Sequence, residues 1–226
     1  MNSKQANDFK FFTLFGMLLV TSKLCSMLFA QRLISLCGII LPGGIIPFCI
    51  TFMVLDIVTN NYGFKNARKI IFFNLLCEAI LAFNIQTTLK ITPSLLFQHE
   101  PAYQELMSPF IKLFTASLFA TVVAYLLNCY IFSRLYYSFK GKHLWLRCIL
   151  ATALGELVFS IIWTVVFFWK QLSIDNMNVL VINQYLFKVL FEIITLPITY
   201  FAVYLLNKYE LDVDIEYKNF KPLHKG

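Results

Sequence analysis

Residues 42–68 read PGGIIPFCITFMVLDIVTNNYGFKNAR, and this stretch decides the fold. A Pro-Gly-Gly break opens it. A largely apolar run from Ile45 to Asn61 follows, and Tyr62-Gly63 then gives way to Lys65, Arg68 and Lys69. A helix of that length crosses roughly the hydrocarbon core of a bilayer. The run carries Asp56, with Thr59 and Asn60 at i+3 and i+4, on one helical face. A carboxylate in such a helix costs about 2.5–3.5 kcal/mol on insertion scales, so it is expected to face a cavity or a partner rather than lipid. That face reads as part of a solute pathway. The competing reading pairs Asp56 with a basic residue to lock two helices.

The whole chain has the same character. Of 226 residues, 59% are hydrophobic and 14% charged, against about 25% charged in soluble domains. Apolar runs near twenty residues recur at about 11–30, 43–61, 67–89, 109–133, 148–169 and 178–206. They predict an all-α integral membrane protein, a bundle of six transmembrane helices forming one domain over 1–226. The first run carries Lys23 and lacks a small-x-small cleavage site, so it reads as a mature helix rather than a signal peptide. Residues 31–41 and 90–108 read as connections, the second polar and holding Pro93 and Pro101.

Basic residues orient the bundle. With both termini inside, thirteen lysines and arginines fall in inner segments, among them Lys65, Arg68, Lys69, Arg134, Lys140, Lys142 and Arg147. Four fall outside: Arg32, Lys90, Lys112 and Lys170. The net charge of +7 is spread through alternating loops and is no nucleic-acid signal. Tyr136, Tyr137, Trp145 and Trp169 stand at span ends, where interfacial rings sit. The six cysteines include no CxxC pair and read as small buried hydrophobes. The three histidines are too scattered for a metal site. No phosphate-binding glycine loop suggests nucleotide hydrolysis, and no cofactor is implied.

Six ionisable side chains lie within spans: Lys23, Asp56, Glu78, Glu156, Lys188 and Glu192. Facing lipid singly, they would cost roughly 15–20 kcal/mol together. Pairing across a hydrated centre removes most of that. Two cations against four acids leave two acids to be protonated, solvated or met by substrate. Polar stripes run along span six (Gln184, Lys188, Glu192, Thr195, Thr199), span five (Thr152, Glu156, Ser160, Trp163, with Phe159 beside them) and span four (Ser117, Thr121, Asn128). Such stripes also serve as packing seams, the better reading for Ser117 and Thr152. Lys188 and Glu192 are i and i+4, so a local pair is one reading. A Lys23–Glu78 pair would be structural. Pro197 is expected to bend span six.

Three segments carry a family resemblance: RLISLCGIILPGG followed by TFMVLDIVTNNYGFKNAR; TAS and IFSRL of span four; and YLFKVLFEIITLPITY followed by NKYELDVDIEYKNFKPL. From about Arg32 onward the chain resembles the queuosine-precursor transporter family, also filed as vitamin-uptake-like. Asp56 to Arg68 holds the most specific part. The resemblance implies a multi-pass importer in the bacterial inner membrane that takes up 7-deazaguanine bases, or queuine, for tRNA modification. This chain departs from the pattern with Asn60 in place of Glu, Tyr125 and Asn128 in place of Gln and Asp, and Glu156 and Phe159 in place of an amide and Asp.

A guanine-like edge presents N–H and NH₂ side by side to a carboxylate, its O6 takes a donor, and its plane stacks on rings. Glu156, Glu192 or Asp56 can supply the carboxylate, Lys188 or Asn60 the donor, and Trp163, Phe159 or Phe52 the platform. Lys23, Glu78 and Asn128 are the structural or coupling candidates. The partners expected are a nucleobase-like solute and the bilayer. Three functions compete: an alternating-access importer, the substrate-binding subunit of an energy-coupling-factor transporter, and an intramembrane enzyme. The second typically docks through an Ala-xxx-Ala stripe in the first span, absent from Phe11–Ala30. The third lacks a nucleophile–base pair or metal cluster.

Overall fold

A computed structural model describes residues 11–209 apart from Cys37 and Leu95. The polar start, the charged tail and the reading of Cys37 lie outside those residues. The order is α1 (Phe12–Phe29), β1 (Leu33–Leu36), β2 (Ile39–Pro42), α2 (Ile45–Lys90), α3 (Glu100–Met107), α4 (Phe110–Ser138), α5 (Leu144–Phe168) and α6 (Ile174–Tyr209). Among the described residues, five helices are long and apolar enough to cross a membrane.

The helices are apolar on the outside and polar within. On α6, Gln184, Lys188, Glu192, Thr195 and Thr199 are buried, while Ile182, Leu186, Leu190, Ile194, Ile198 and Phe201 are exposed. On α5, Thr152, Glu156, Ser160 and Thr164 are buried and Leu150, Leu154, Leu157, Ile161 and Val165 exposed. Water would reject those exposed faces, and lipid accepts them. The polar stripes of the sequence therefore mark the interior of the bundle.

The 46 residues of α2 would span about 69 Å as one straight helix. Gly63 interrupts them with φ 78° and ψ 167°, a region essentially reserved for glycine. The chain reverses there. The start of α1 meets the break, with the Phe12 and Tyr62 rings 5.1 Å apart. Its end meets the opposite end of the first α2 piece at Gly44 and Phe48, where Lys23 lies over the Phe48 ring at 4.8 Å. The second piece runs back beside α1, with Gly16 against Ile70. Gly63→Ala should lower stability by about 1–3 kcal/mol, since alanine resists this conformation; thermal unfolding in detergent measures it. An unchanged melting temperature would mean that the reversal needs no glycine.

Two elements differ from the sequence expectation. Residues 31–41, expected to be a plain connection, include an antiparallel hairpin with Leu33 opposite Pro42 and Leu36 opposite Ile39. A hairpin alone is marginal. This one leans on α6: Ile34 and Leu41 pack with Phe187 and Phe191, and the Asn183 side-chain amide donates to the Ile40 carbonyl at 3.3 Å. The loop 90–108 holds α3, opened by Pro101 in its first turn, where a missing N–H costs nothing. Helix α6 stays helical through Pro197, so the expected bend does not interrupt it.

Candidate functional site

Near the hairpin end of the bundle, side chains of five helices converge on a narrow cleft of about 30 Å³, room for about one water molecule, so a larger solute enters only as the helices part. Lys23 and Ser26 come from α1, Phe48 from α2, Ser117 from α4, Phe159 and Trp163 from α5, and Gln184 and Lys188 from α6. Pro42, at the end of β2, belongs to the rim. Helical spacing explains the convergence. Phe159 and Trp163 are four apart, as are Gln184 and Lys188, so each pair shares a face.

Lys188 organises the cleft. Its ammonium is 2.9 Å from Glu156 Oε2, in ionic contact off the hydrogen-bond direction, and donates to Ser160 Oγ at 3.2 Å. It also lies 4.1 Å from the Phe48 ring centre and 4.7 Å from that of Phe159. The pair therefore bridges α5 and α6, not the local Lys188–Glu192 positions. Lys23 shares the same rings, at 4.8 Å from Phe48 and 4.7 Å from Phe159. Among the described residues no carboxylate lies within ion-pair distance of Lys23.

Lys23 and Glu78, considered as a structural pair, are not within ion-pair distance. Glu78 instead accepts from Asn74 at 2.5 Å and from Ser117 Oγ at 2.7 Å. The cleft lining holds two ammonium groups and no carboxylate, with Glu156 behind Lys188 and Glu78 behind Ser117, so charged donors face it. Trp163 stacks on Phe167 at 5.3 Å and 22°, and Phe168 meets its edge at 5.7 Å, so its plane is held. Gln184 commits its Nε2 to Thr164 at 3.1 Å, which leaves its carbonyl as an acceptor.

Not every expected residue joins this cleft. Asp56, Glu192 and Asn128 form a second cluster, one helical turn further from the hairpin along α5 and α6. Asp56 Oδ1 accepts from Asn128 Nδ2 at 2.9 Å, and Oδ2 from Thr152 Oγ1 at 3.4 Å. Gly155 permits that approach: a Cβ there would lie 3.0 Å from the Asn128 Cβ and 3.2 Å from the Ala124 carbonyl. Cys148, expected to be a plain small hydrophobe, sits among these carboxylates. Phe52 lies behind the cleft, edge-on to Tyr125 at 4.7 Å.

Asn60 lies further on again. Its Oδ1 accepts from Arg147 at 3.0 Å, beside an Asn61–Asn207 bond of 3.0 Å. Arg147 is a correction to the sequence reading. It is no loop charge: it is 2% exposed and held between the Phe132 and Tyr136 rings at 4.9 and 4.8 Å. Phe48 was also missed as a cleft residue. Its signal was available, since Phe48, Phe52 and Asp56 are spaced by four on one helix.

Comparison with known proteins agrees with this architecture. The family model described as "Putative vitamin uptake transporter" matches residues 42–202. The "Probable queuosine precursor transporter" of Bacillus subtilis (strain 168) is 26% identical over 179 residues, covering 79% of this chain and 78% of the relative. No solved structure matches. The family match takes in Pro42 and α2 through most of α6, and so every named cleft residue except those of α1. The chain belongs to the vitamin uptake transporter family, a multi-pass membrane transporter and not an enzyme.

Proposed function

We propose that the chain imports queuosine precursors, 7-deazaguanine bases, across the bacterial inner membrane for tRNA modification. The observation that carries this reading is the cleft: two ammonium groups, fixed aromatic planes and an amide carbonyl, all within an apolar bundle. The base stacks on Trp163 beside Phe159. Lys23 and Lys188 donate to its O6 edge, and the Gln184 carbonyl accepts from its N–H and NH₂ edge. Glu156 acts through Lys188, which it holds in place. The name of the Bacillus relative supports the substrate class.

The bundle works as one six-span unit by alternating access. Two pieces of α2, reversed at Gly63, supply the second and third crossings. Both termini face inward, so the cleft at the hairpin end opens outward and the Arg147–Asn60 layer closes the inner end. Cysteines engineered at Lys65 and Lys142, both exposed, should react only with membrane-permeant reagents. One at Gln98 should react from outside intact cells. The reverse pattern overturns the orientation.

A host unable to make queuosine precursors tests the substrate. Given this gene and a 7-deazaguanine, it should regain queuosine in its tRNA. If several deazaguanines and queuine all fail while the protein is present in the membrane, the substrate class is wrong.

A further inference from the structure

We propose that Asp56 and Glu192 share one proton and form the site of a proton co-transported with the solute, separate from the lysine cleft. The proposal rests on the transport reading above. Its starting point is a donor shortage. One ligand atom each from Asp56 on α2, Cys148 on α5 and Glu192 on α6 lie within 4.8 Å of one another, all three side chains buried. The donors that reach Asp56 come from neutral side chains, Asn128, Thr152 and the Cys148 thiol. Glu192 Oε1 and Asn128 Oδ1 are buried acceptors with no hydrogen-bond partner, and Asn128 is turned into the cluster by its bond to Asp56.

No cation remedies this. Among the described residues, neither acid has a lysine, arginine or histidine within ion-pair distance. Lys188 on α6 is engaged by Glu156 of α5, and Lys23 of α1 lies over the cleft rings. Arg147 of α5 directs its guanidinium to Asn60, the Gly141 carbonyl and the rings of α4. Cys129 of α4 accepts from Thr59 at 3.4 Å. The titratable neighbours are thus Cys148, Cys129, Arg147 and Glu156; the Arg147 charge attracts Asp56, but none of them makes an ion-pair contact with either acid.

Two carboxylates this close in a dry interior do not both ionise, and such a pair titrates as a unit. A single shared proton supplies the missing donor. The position suits coupling. Thr152 and Glu156 on α5, and Lys188 and Glu192 on α6, are each one turn apart, so the acid pair lies about 5.4 Å along the helices from the ion pair at the cleft. The two acids belong to different helices, so a movement of α6 against α2 separates them and releases the proton. Solute that biases that movement is then linked to proton binding.

Two measurements on the full chain test this. Infrared spectra of the purified protein at neutral pH should show a protonated carboxyl C=O band that shifts in Asp56→Asn and in Glu192→Gln and is lost when both are replaced. No such band in the wild type overturns the proposal, whether or not the protein transports. In proteoliposomes, an inward proton gradient of one pH unit should drive about tenfold accumulation of labelled 7-deazaguanine. A protonophore should abolish it, and a sodium gradient should not replace it. Both variants should keep exchange of labelled for unlabelled base and lose accumulation. Exchange in the wild type without proton-driven accumulation, accumulation driven by sodium or a divalent cation, or undiminished accumulation in either variant refutes proton coupling. Absence of exchange together with a normal carboxyl band counts against the transport reading instead.

Discussion

Replacing Lys188 with methionine should sharply reduce the folded protein, and adding Glu156→Gln should restore it. Removing one partner of a buried ion pair leaves the other charge uncompensated, at a cost of about 3–5 kcal/mol. That is more than a hundredfold in the folded fraction. Lys188 and Glu156 are 2% and 1% exposed and 2.9 Å apart, so little water can screen the orphan. The double variant removes both charges and should recover stability. It should not recover binding, because Lys188 also presents its ammonium to the cleft over Phe48. Glu156→Gln alone should weaken binding about 5–30-fold, a loss of roughly 1–2 kcal/mol, through a less firmly held Lys188. Thermal unfolding and a binding isotherm on the three variants separate the roles. A double variant as unstable as Lys188→Met would show that Lys188 stabilises by packing rather than charge. Full affinity in the double variant would remove both residues from the site.

Trp163→Ala should abolish most of the affinity for a planar base. Base–aromatic stacking contributes about 1–3 kcal/mol, so binding should fall roughly 5–150-fold. Trp163 is 5% exposed, and truncation of so large a buried side chain also costs about 3–5 kcal/mol of stability. Trp163→Phe separates the effects. It keeps a ring over the cleft, against the Phe167 plane, and should hold affinity within a few-fold while losing less stability. If Trp163→Phe binds as poorly as Trp163→Ala, the indole N–H rather than the plane is what the solute needs. If Trp163→Ala binds normally, the base does not stack there.

The sequence made the spans legible because each polar stripe must face inward and each apolar stripe outward. Gln184, Lys188 and Glu192 fall where their spacing placed them. Gly63 was legible as a stop for the same reason that the structure bends there. The partition of the charged residues was not legible. Spacing allows Lys188 to meet Glu192 one turn on, and only the rotation of α5 against α6 brings Glu156 nearer. The acid at 156, where the resembling pattern has an amide, still reaches Lys188. A Lys23–Glu78 pair was one reading for Glu78, because a carboxylate in a span demands compensation; Asn74 and Ser117 supply it with neutral donors instead.

Arg147 was misplaced by a boundary. Helix α5 begins at Leu144, four residues before the predicted span, because Trp145 and Arg147 lower the local hydropathy without stopping a helix. The hairpin escaped notice because its strands are apolar without a clean alternation, so period two gave no signal. Helix α3 lies in a polar stretch with two prolines, where a breaker signal and a first-turn proline look alike.

Counterflow by the chain alone tests the transport reading most directly. The purified protein is reconstituted without any other subunit into liposomes loaded with unlabelled 7-deazaguanine. Labelled base supplied outside should then enter and transiently exceed its external concentration, with Trp163→Ala strongly impaired. Tight binding of the base without any counterflow would contradict a self-sufficient importer and would match a binding subunit that requires a separate ATPase.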